Sequence, residues 1–460
     1  MADQAGVRGG RLVAATTVIG SSRDVHGEPP SQNPQRLTVA GRCADRQQRP
    51  RARRRSRLGE ATAALLRAVS FAALVVTAVG AWPPDAGAQS ATQSDGAEAS
   101  FQFNPEESVV TVPVDVNGKR RLFMVDTGAG VSAFDELFRD QLGSPLRSVR
   151  LRTPDGGVEE RDLFHVPRAR AGGLPLSGIG EVLCVDHRIF RVASGSDFYG
   201  TLGMDFLRDR VVRLDFDRGE VGFLNRVPED SGAPVVLDMA RYSRWPPTVV
   251  LGVAGIGDHA FIVDTGDTSN GAIEARLLAR LLANGDAVHV DTGTAEYLGR
   301  SRIERTLRLR GEVALGGFRH KGLTFSEAAH NVLGLGYLSR YLVTFDFRGR
   351  RMYLKRGKRF DDPCRYDLSG AELWRPSCVA IRAVAKGSAA DAAGLRAGDV
   401  LEEVDGRAAS SLTLRQTYGL ACATAGKHVL KIRRGHEVRS IVLVLSDPPV
   451  VAPSAPAEAQ

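Results

Sequence analysis

The chain has 460 residues, 43% hydrophobic and 25% charged, an ordinary balance that leaves room for about three globular domains. Its formal net charge of +8 is concentrated at one end: residues 1–60 hold 12 Arg against 5 acidic residues, and beyond Ala88 the count is 48 basic against 47 acidic. That near-neutral remainder excludes a polyanion-binding protein, so no nucleic acid partner is expected.

Residues 1–57 mix Gly, Pro, Gln, Ser and Arg without apolar periodicity and read as disordered. The basic run Arg51 to Arg57 then precedes an apolar stretch from Ala61 to Ala81, broken only by Arg67, and Ala86-Gly87-Ala88 supplies the small residues of a cleavage site. A basic segment, an apolar core and an Ala-x-Ala site predict a signal peptide within a leader spanning 1–88. The expected destination is the periplasm or the extracellular space, with residues 61–81 as a membrane anchor if cleavage fails. No Met lies between Met1 and Met124, and a start at a non-methionine codon near the arginines would give a leader of usual length. Residues 89–99 are small and polar, a linker.

From residue 100 the pattern changes to strands. Ser108 to Asn117 alternates and turns at Asn117-Gly118 into Arg121 to Asp126, a hairpin. Val149 to Arg152 and Val158 to Asp162 form a second hairpin about Pro154 to Gly157, and Leu137 to Leu142 suits a short helix. Ser194 to Asp197 is a loop before an apolar element, Gly200 to Leu207, and a closing strand, Val211 to Phe216. A second unit, 233–357, starts with a strand from Trp245 to Val253 that returns through His259 to Val263 into Asp264. Ala272 to Leu282 has helical spacing, Tyr297 to Arg300 lies where the counterpart of the first unit's second hairpin would fall, and Val313 to Gly317 is a strand and turn.

The two units repeat one another. Phe123-Met124-Val125-Asp126-Thr127-Gly128 answers Phe261-Ile262-Val263-Asp264-Thr265-Gly266, and setting Gly203 on Gly334 places Leu207 on Leu338, Val212 on Val343 and Asp215 on Asp346. An apolar run ending in Asp-Thr-Gly delivers a carboxylate onto a tight turn, and two matching copies mean two copies of one structural unit. At these residues the chain resembles the aspartic proteases, and its short units, with Ala129 after the first turn, resemble retropepsin-like lobes fused in one chain. The resemblance implies a mainly β fold, with β-barrel lobes at 100–232 and 233–357. It also implies a catalytic dyad of Asp126 and Asp264, with Thr127 and Thr265 bridging the turns and Gly128 and Gly266 allowing close approach. The hairpin about Pro154 to Gly157 is either a substrate-covering flap or an ordinary surface hairpin; no tyrosine stands near its tip. Asp267 departs from the family, which carries Ser, Thr or Ala there. It is either a third carboxylate that modulates the dyad's pKa or an outward-facing cap.

Residues 364–447 form a third domain. Cys378 to Val384 is a strand, and Ala393-Gly394-Leu395-Arg396-Ala397-Gly398-Asp399 precedes another ending at Glu403 to Gly406. These runs resemble a bacterial PDZ domain. The resemblance implies an extended peptide added as a strand, its free C-terminus held by a loop placed at Ser369, Gly370, Ala371, Glu372 and Leu373, with Ser411 to Ala423 as the flanking helix. Residues 448–460 read as a disordered tail. Cys184, Cys364, Cys378 and Cys422 permit disulfides, Cys364 with Cys378 being the most local pair, or remain free thiols. No Cys-x-x-Cys, His-Glu-x-x-His or Walker-type loop occurs, and the histidines lack ligand spacing, so neither a metal nor a cofactor is expected.

The function implied is an exported, metal-independent aspartic-type endopeptidase acting on peptide or protein substrates. Two carboxylates held together do not both ionise readily, so one takes a proton from water while the other protonates the carbonyl oxygen. The alternative is an inactive scaffold of the same fold that binds peptides through the cleft and the PDZ groove.

Overall fold

A computed structural model of the chain describes residues 10–12, 17–18, 97–152, 157–239, 246–297, 300–375 and 377–446. The apolar stretch 61–81, the cleavage site, both hairpin tips in part (153–156 and 298–299) and the tail 448–460 lie outside the described residues. Among the described residues no helix is long and apolar enough to cross a membrane.

Alternation of buried and exposed side chains builds the first hairpin, Thr111–Val116 with Lys119–Val125, and Asn117 and Gly118 take the positive φ that its two-residue turn demands. The second strand becomes fully apolar at Phe123, Met124 and Val125 because it passes into the core and pairs in parallel with Gly200–Leu202. Around it runs a ten-stranded sheet. From one edge its order is Leu174–Pro175, Ala169–Ala171, Thr111–Val116, Lys119–Val125, Gly200–Leu202, Ala133–Asp135, Glu181–Val185, Val158–His165, Arg147–Arg152 and Thr17–Val18.

The second unit repeats that order strand for strand. It runs Phe318–Lys321, Glu312–Leu315, Thr248–Val253, Gly257–Asp264, Val332–Gly334, Gly271–Glu274, Thr324–Ala328, Arg300–Leu309, Ala287–Tyr297 and Gly10–Leu12. A third sheet ties the units together: Val211–Asp215 pairs antiparallel with Tyr341–Asp346, flanked by Glu220–Leu224 and Ala97–Gln102 on one side and Arg351–Arg356 and Ala233–Val236 on the other. One hydrophobic core runs through both units and includes Phe360, three residues beyond the 357 boundary.

Three local expectations change. The helix expected over Ala272 to Leu282 is confined to Ala275–Ala283, because Gly271–Glu274 is a strand held between Thr324–Ala328 and Val332–Gly334. Full burial of Ala272 and Ile273 in that sheet outweighs helical periodicity. The loop at Ser194 to Asp197 follows a helix, Arg188–Ser194, that closes on Gly195 in the left-handed region. Within the leader, Gly10–Leu12 pairs with Thr294 to Glu296 and Thr17–Val18 with Leu151 and Arg152, where hairpin edges offer unpaired backbone groups to another strand.

The third domain is a separate sheet of Ala371–Trp374, Ala380–Val384, Val400–Val404, Gly426–Arg434 and Glu437–Leu445, with its own core. Its helix Leu414–Ala421 starts on a capping box, Thr413 with Gln416. The Gly-Leu-x-x-Gly-Asp run is explained locally. Gly394 and Gly398 take positive φ, and Asp399 is held by Arg434 at 2.7 Å.

Candidate active site

Both Asp-Thr-Gly turns close the strands that carry them, and the sheet order brings the turns face to face. Thr127 N–H donates to Thr265 Oγ1 (3.0 Å) while Thr127 Oγ1 donates to the Val263 carbonyl (2.6 Å). The reciprocal pair runs from Thr265 N–H to Thr127 Oγ1 (3.1 Å) and from Thr265 Oγ1 to the Val125 carbonyl (2.7 Å). These four buried bonds lock the two turns in register. Glycine at each turn has a steric cause. A Cβ on Gly128 would stand 2.3 Å from Asp264 Cγ, and one on Gly266 2.7 Å from Asp126 Cγ. The element after each turn packs just as closely: a Cβ on Gly203 would meet the Ala129 carbonyl oxygen at 2.7 Å, and on Gly334 that of Ser269 at 2.4 Å.

Asp126 and Asp264 are completely buried. Asp126 Oδ1 accepts the N–H groups of Gly128 (2.8 Å) and Ala129 (3.0 Å), and Asp264 Oδ1 those of Gly266 (2.8 Å) and Asp267 (3.2 Å). Each Oδ2 lacks a donor among the described residues, so a proton held by one carboxyl and shared with the other is the arrangement that satisfies both. Burial raises the pKa of Asp126, opposed by its bonds from Asp264, Gly128 and Ala129. Burial also lifts Asp264 well above the ordinary carboxyl value, followed by the charges of Asp126 and Asp267. The pair therefore keeps one proton into a pH range where isolated carboxyls have lost theirs.

Asp267 is fully buried, and its Oδ1 accepts Ser269 N–H (2.9 Å) and Ser269 Oγ–H (2.8 Å). Its charge acts on both members of the dyad. The inward carboxylate and the turn cap, offered by the sequence as alternatives, are thus combined in one side chain.

The PDZ-like domain presents a groove between the free edge of Ala371–Trp374 and the helix Leu414–Ala421. The loop before that strand is already filled. Asp367 accepts from Ser369 N–H (2.8 Å), Ser369 Oγ (2.7 Å) and Gly370 N–H (3.1 Å), and Ser369 Oγ accepts from Ala371 N–H (2.9 Å). Glu372 is buried on the strand beside Arg382 (3.1 Å), and Leu373 faces a cavity. That cavity, about 580 Å³, joins the groove to the loop after the second catalytic turn, reaching Thr268, Ser269 and Asn270. Sequence reading missed its arginines, which are scattered from Arg340 to Arg415 without any spacing that could signal a common site.

All four described cysteines are free, so no Cys364–Cys378 disulfide forms. Cys364 instead receives Asn270 Nδ2 (2.8 Å) and stands 3.2 Å from Thr324 Oγ1. Among the histidines, His187 bonds the Val185 carbonyl and Thr201, and His320 bonds Tyr341 with its pKa lowered to about 4 by burial. Among the described residues no cluster of His, Cys, Asp or Glu is arranged to hold a metal ion.

Comparison with known families matches two parts of the chain. Residues 112–206, the first unit with its Asp126 turn, match the aspartyl protease family model, and residues 381–434 match that of the PDZ domain. A search of curated proteins returned no match to the chain.

Proposed function

We propose that this chain, an aspartyl protease-like fold joined to a PDZ domain, is an exported endopeptidase that hydrolyses peptide bonds through Asp126 and Asp264. The observation that carries the reading is the reciprocal lock between the turns, which brings together two buried carboxyls, each with an Oδ2 that has no donor among the described residues. Peptide hydrolysis needs a base to deprotonate water and an acid to protonate the carbonyl oxygen. A dyad holding one proton supplies both from adjacent atoms. After attack, the protons redistribute to the departing amine, and the singly protonated pair is restored. Substrate lies extended between the units, beneath the hairpins Arg147–Arg152/Val158–His165 and Ala287–Tyr297/Arg300–Leu309. The PDZ domain binds a peptide or protein end, and residues 1–88 direct export, with 61–81 as a membrane anchor where the leader stays uncleaved.

The test is hydrolysis of unfolded casein by the full chain, with and without a statine-type transition-state mimic. Wild type should cleave and be inhibited, while Asp126→Asn and Asp264→Asn should each lose more than ~10³-fold activity with melting unchanged. Cleavage by either variant near the wild-type rate would refute the dyad. Sequencing the amino terminus of the protein secreted by intact cells tests export.

A further inference from the structure

The segment that joins the second unit to the third domain, residues 357–364, is fastened on both sides. Lys358 N–H donates to both oxygens of Asp217 (3.0 Å each), and Arg359 pairs with Glu106, both partners lying in the first unit. On the second unit Gly357 N–H donates to the Arg340 carbonyl (2.9 Å). Arg340 Nη1 donates in turn to the carbonyls of Phe360 (3.1 Å) and Asp362 (2.7 Å). At the end of the segment Cys364 receives Asn270, which stands in the loop after the second catalytic turn. Phe360 is the one side chain of the eight that is buried. It fits among the rings of His320, Tyr341 and Phe318, at centroid distances of 4.7, 5.5 and 5.9 Å, and Arg356 stacks over it at 4.3 Å.

His320, the ring nearest to Phe360, is itself buried and can carry no charge cheaply. Its Nε2 stands 2.5 Å from Tyr341 Oη, and Tyr341 Oη stands 3.3 Å from Tyr337 Oη. One direction of this chain leaves neither hydroxyl proton without an acceptor. Tyr337 donates to Tyr341, and Tyr341 donates to a neutral imidazole that keeps its own proton on Nδ1. Protonating Nε2 reverses the chain and strands the Tyr337 proton among buried groups. The surroundings resist the charge as well. Burial lowers the His320 pKa from 6.5 to about 4, Arg340 and Arg356 press the same way, and only Asp361 opposes them. Burial raises both tyrosines above their ordinary value, so neither offers an imidazolium an anion.

We propose that residues 357–364 form an acid-released latch between the protease-like units and the C-terminal domain, with Phe360 as the seated group and His320 as the sensor. Lifting Phe360 brings water to the imidazole, which then takes a proton at its ordinary value, whereas the seated segment refuses one until about pH 4. Protons therefore favour the lifted form. Because the seated value is the depressed one, the hold is complete above pH 6.5 and is lost as pH falls toward 4. The equilibrium constant for lifting rises on the order of 10²-fold between pH 7 and pH 4. Lifting gives up the grip of Arg340 on the segment and the bond from Asn270 to Cys364, so the tether of the third domain and the loop after the second catalytic turn are freed together. The latch goes beyond the proposed hydrolysis and does not depend on it.

The test uses the full chain carrying Asp126→Asn, so that self-digestion in acid cannot imitate release. Hydrogen exchange of the peptide covering 357–364, corrected for the intrinsic effect of pH, should lose protection on the order of 10²-fold between pH 7 and pH 4. The strand Tyr341–Asp346 should keep its protection over the same range. Histidine-selective NMR should place the midpoint of the His320 ring near pH 4. His320→Gln keeps an acceptor for Tyr341 but cannot titrate, and its segment should hold constant protection within about threefold. Arg356→Gln, an exposed change that spares the sensor, keeps the test decisive if His320→Gln does not fold: it removes a charge that opposes protonation, so the ring midpoint should rise. A ring midpoint near 6.5, one that Arg356→Gln leaves unmoved, or an equal loss of protection in His320→Gln overturns the latch. So does a loss shared with Tyr341–Asp346, which would be unfolding of the whole unit. Hydrolysis is read separately on the unsubstituted chain, and its absence would refute the dyad while leaving a latch that passes these measurements standing.

Discussion

Replacing Gly128 with alanine should disable the dyad while leaving both aspartates in the sequence. The new Cβ falls 2.3 Å from Asp264 Cγ and 2.4 and 2.5 Å from its oxygens. Ordinary van der Waals contact begins near 3.4 Å, so the carboxylate has to retreat by the difference, 1.1 Å. No space receives it, because Asp264 is completely buried and the Thr265 bonds hold its turn in place. A displacement of ~1 Å between reacting groups costs on the order of 10²-fold in rate, and the carboxyls function only as a pair. Gly266→Ala presents a smaller conflict, since its Cβ stops 2.7 Å from Asp126 Cγ and requires a retreat of 0.7 Å. The expected order is therefore wild type, then Gly266→Ala, then Gly128→Ala, in falling kcat/KM on the unfolded protein substrate. Gly317→Ala serves as control, because its Cβ would meet nothing within 4 Å and its φ is not positive. Urea unfolding of each variant separates loss of fold from loss of alignment. Gly128→Ala activity within threefold of wild type, or greater damage from Gly266→Ala, would refute the face-to-face packing of the turns.

Three further outcomes follow from the same geometry. Asp267→Asn keeps an acceptor for Ser269 but removes a negative charge that raises both dyad pKa values, so the acid limb of the rate profile should move to lower pH; an unmoved limb would show that the charge does not reach the dyad. For stability the sign is opposite to that of a salt-bridged acid. The folded pair holds a proton that the unfolded chain releases near pH 4, so this stabilisation is present in acid and lost as pH rises through the raised values, a slope that urea titration should find reduced in Asp126→Asn. Thr127→Val removes a donor to Val263 and an acceptor for Thr265 in a buried site, and should cost about 3 kcal/mol in urea unfolding while Thr127→Ser costs far less; a loss under ~1 kcal/mol would contradict the lock.

Much of the protease-like region was legible because its chemistry is local and duplicated. Asp126-Thr127-Gly128 and Asp264-Thr265-Gly266 announce themselves, and the apolar residues before each turn reveal the buried parallel strand beneath. Gly394, Gly398 and Asp399 likewise form a self-contained turn with one distant partner, Arg434. What escaped depends on partners far apart in the chain. Ala272 and Ile273 fit a helix by spacing and become strand only because Thr324–Ala328 and Val332–Gly334 close on either side. The occupant of the loop at Ser369 is Asp367, two residues away, yet nothing in the tripeptide shows which way its carboxylate turns. Arg365 and Arg415 come to one cavity wall only when the third domain folds, with Arg365 against Gly419 of the helix that carries Arg415, a relation that no sequence period encodes.

The pairing of Val211–Asp215 with Tyr341–Asp346 has a consequence for the order of events during synthesis. When the first unit has left the ribosome, its closing strand has an open edge, and Thr127 has neither of its partners, Val263 and Thr265. The bonds between Thr127 and Thr265 join residues 138 apart in sequence, and the edge of Val211–Asp215 is covered only after residue 346 has emerged. At typical elongation rates of about 5–20 residues per second, that interval lasts roughly 6 to 30 seconds. Throughout it the Asp126 turn lacks its opposing turn, so the dyad proposed above does not yet exist within the chain. In the proposed mechanism the dyad is therefore assembled only after both units have been translated.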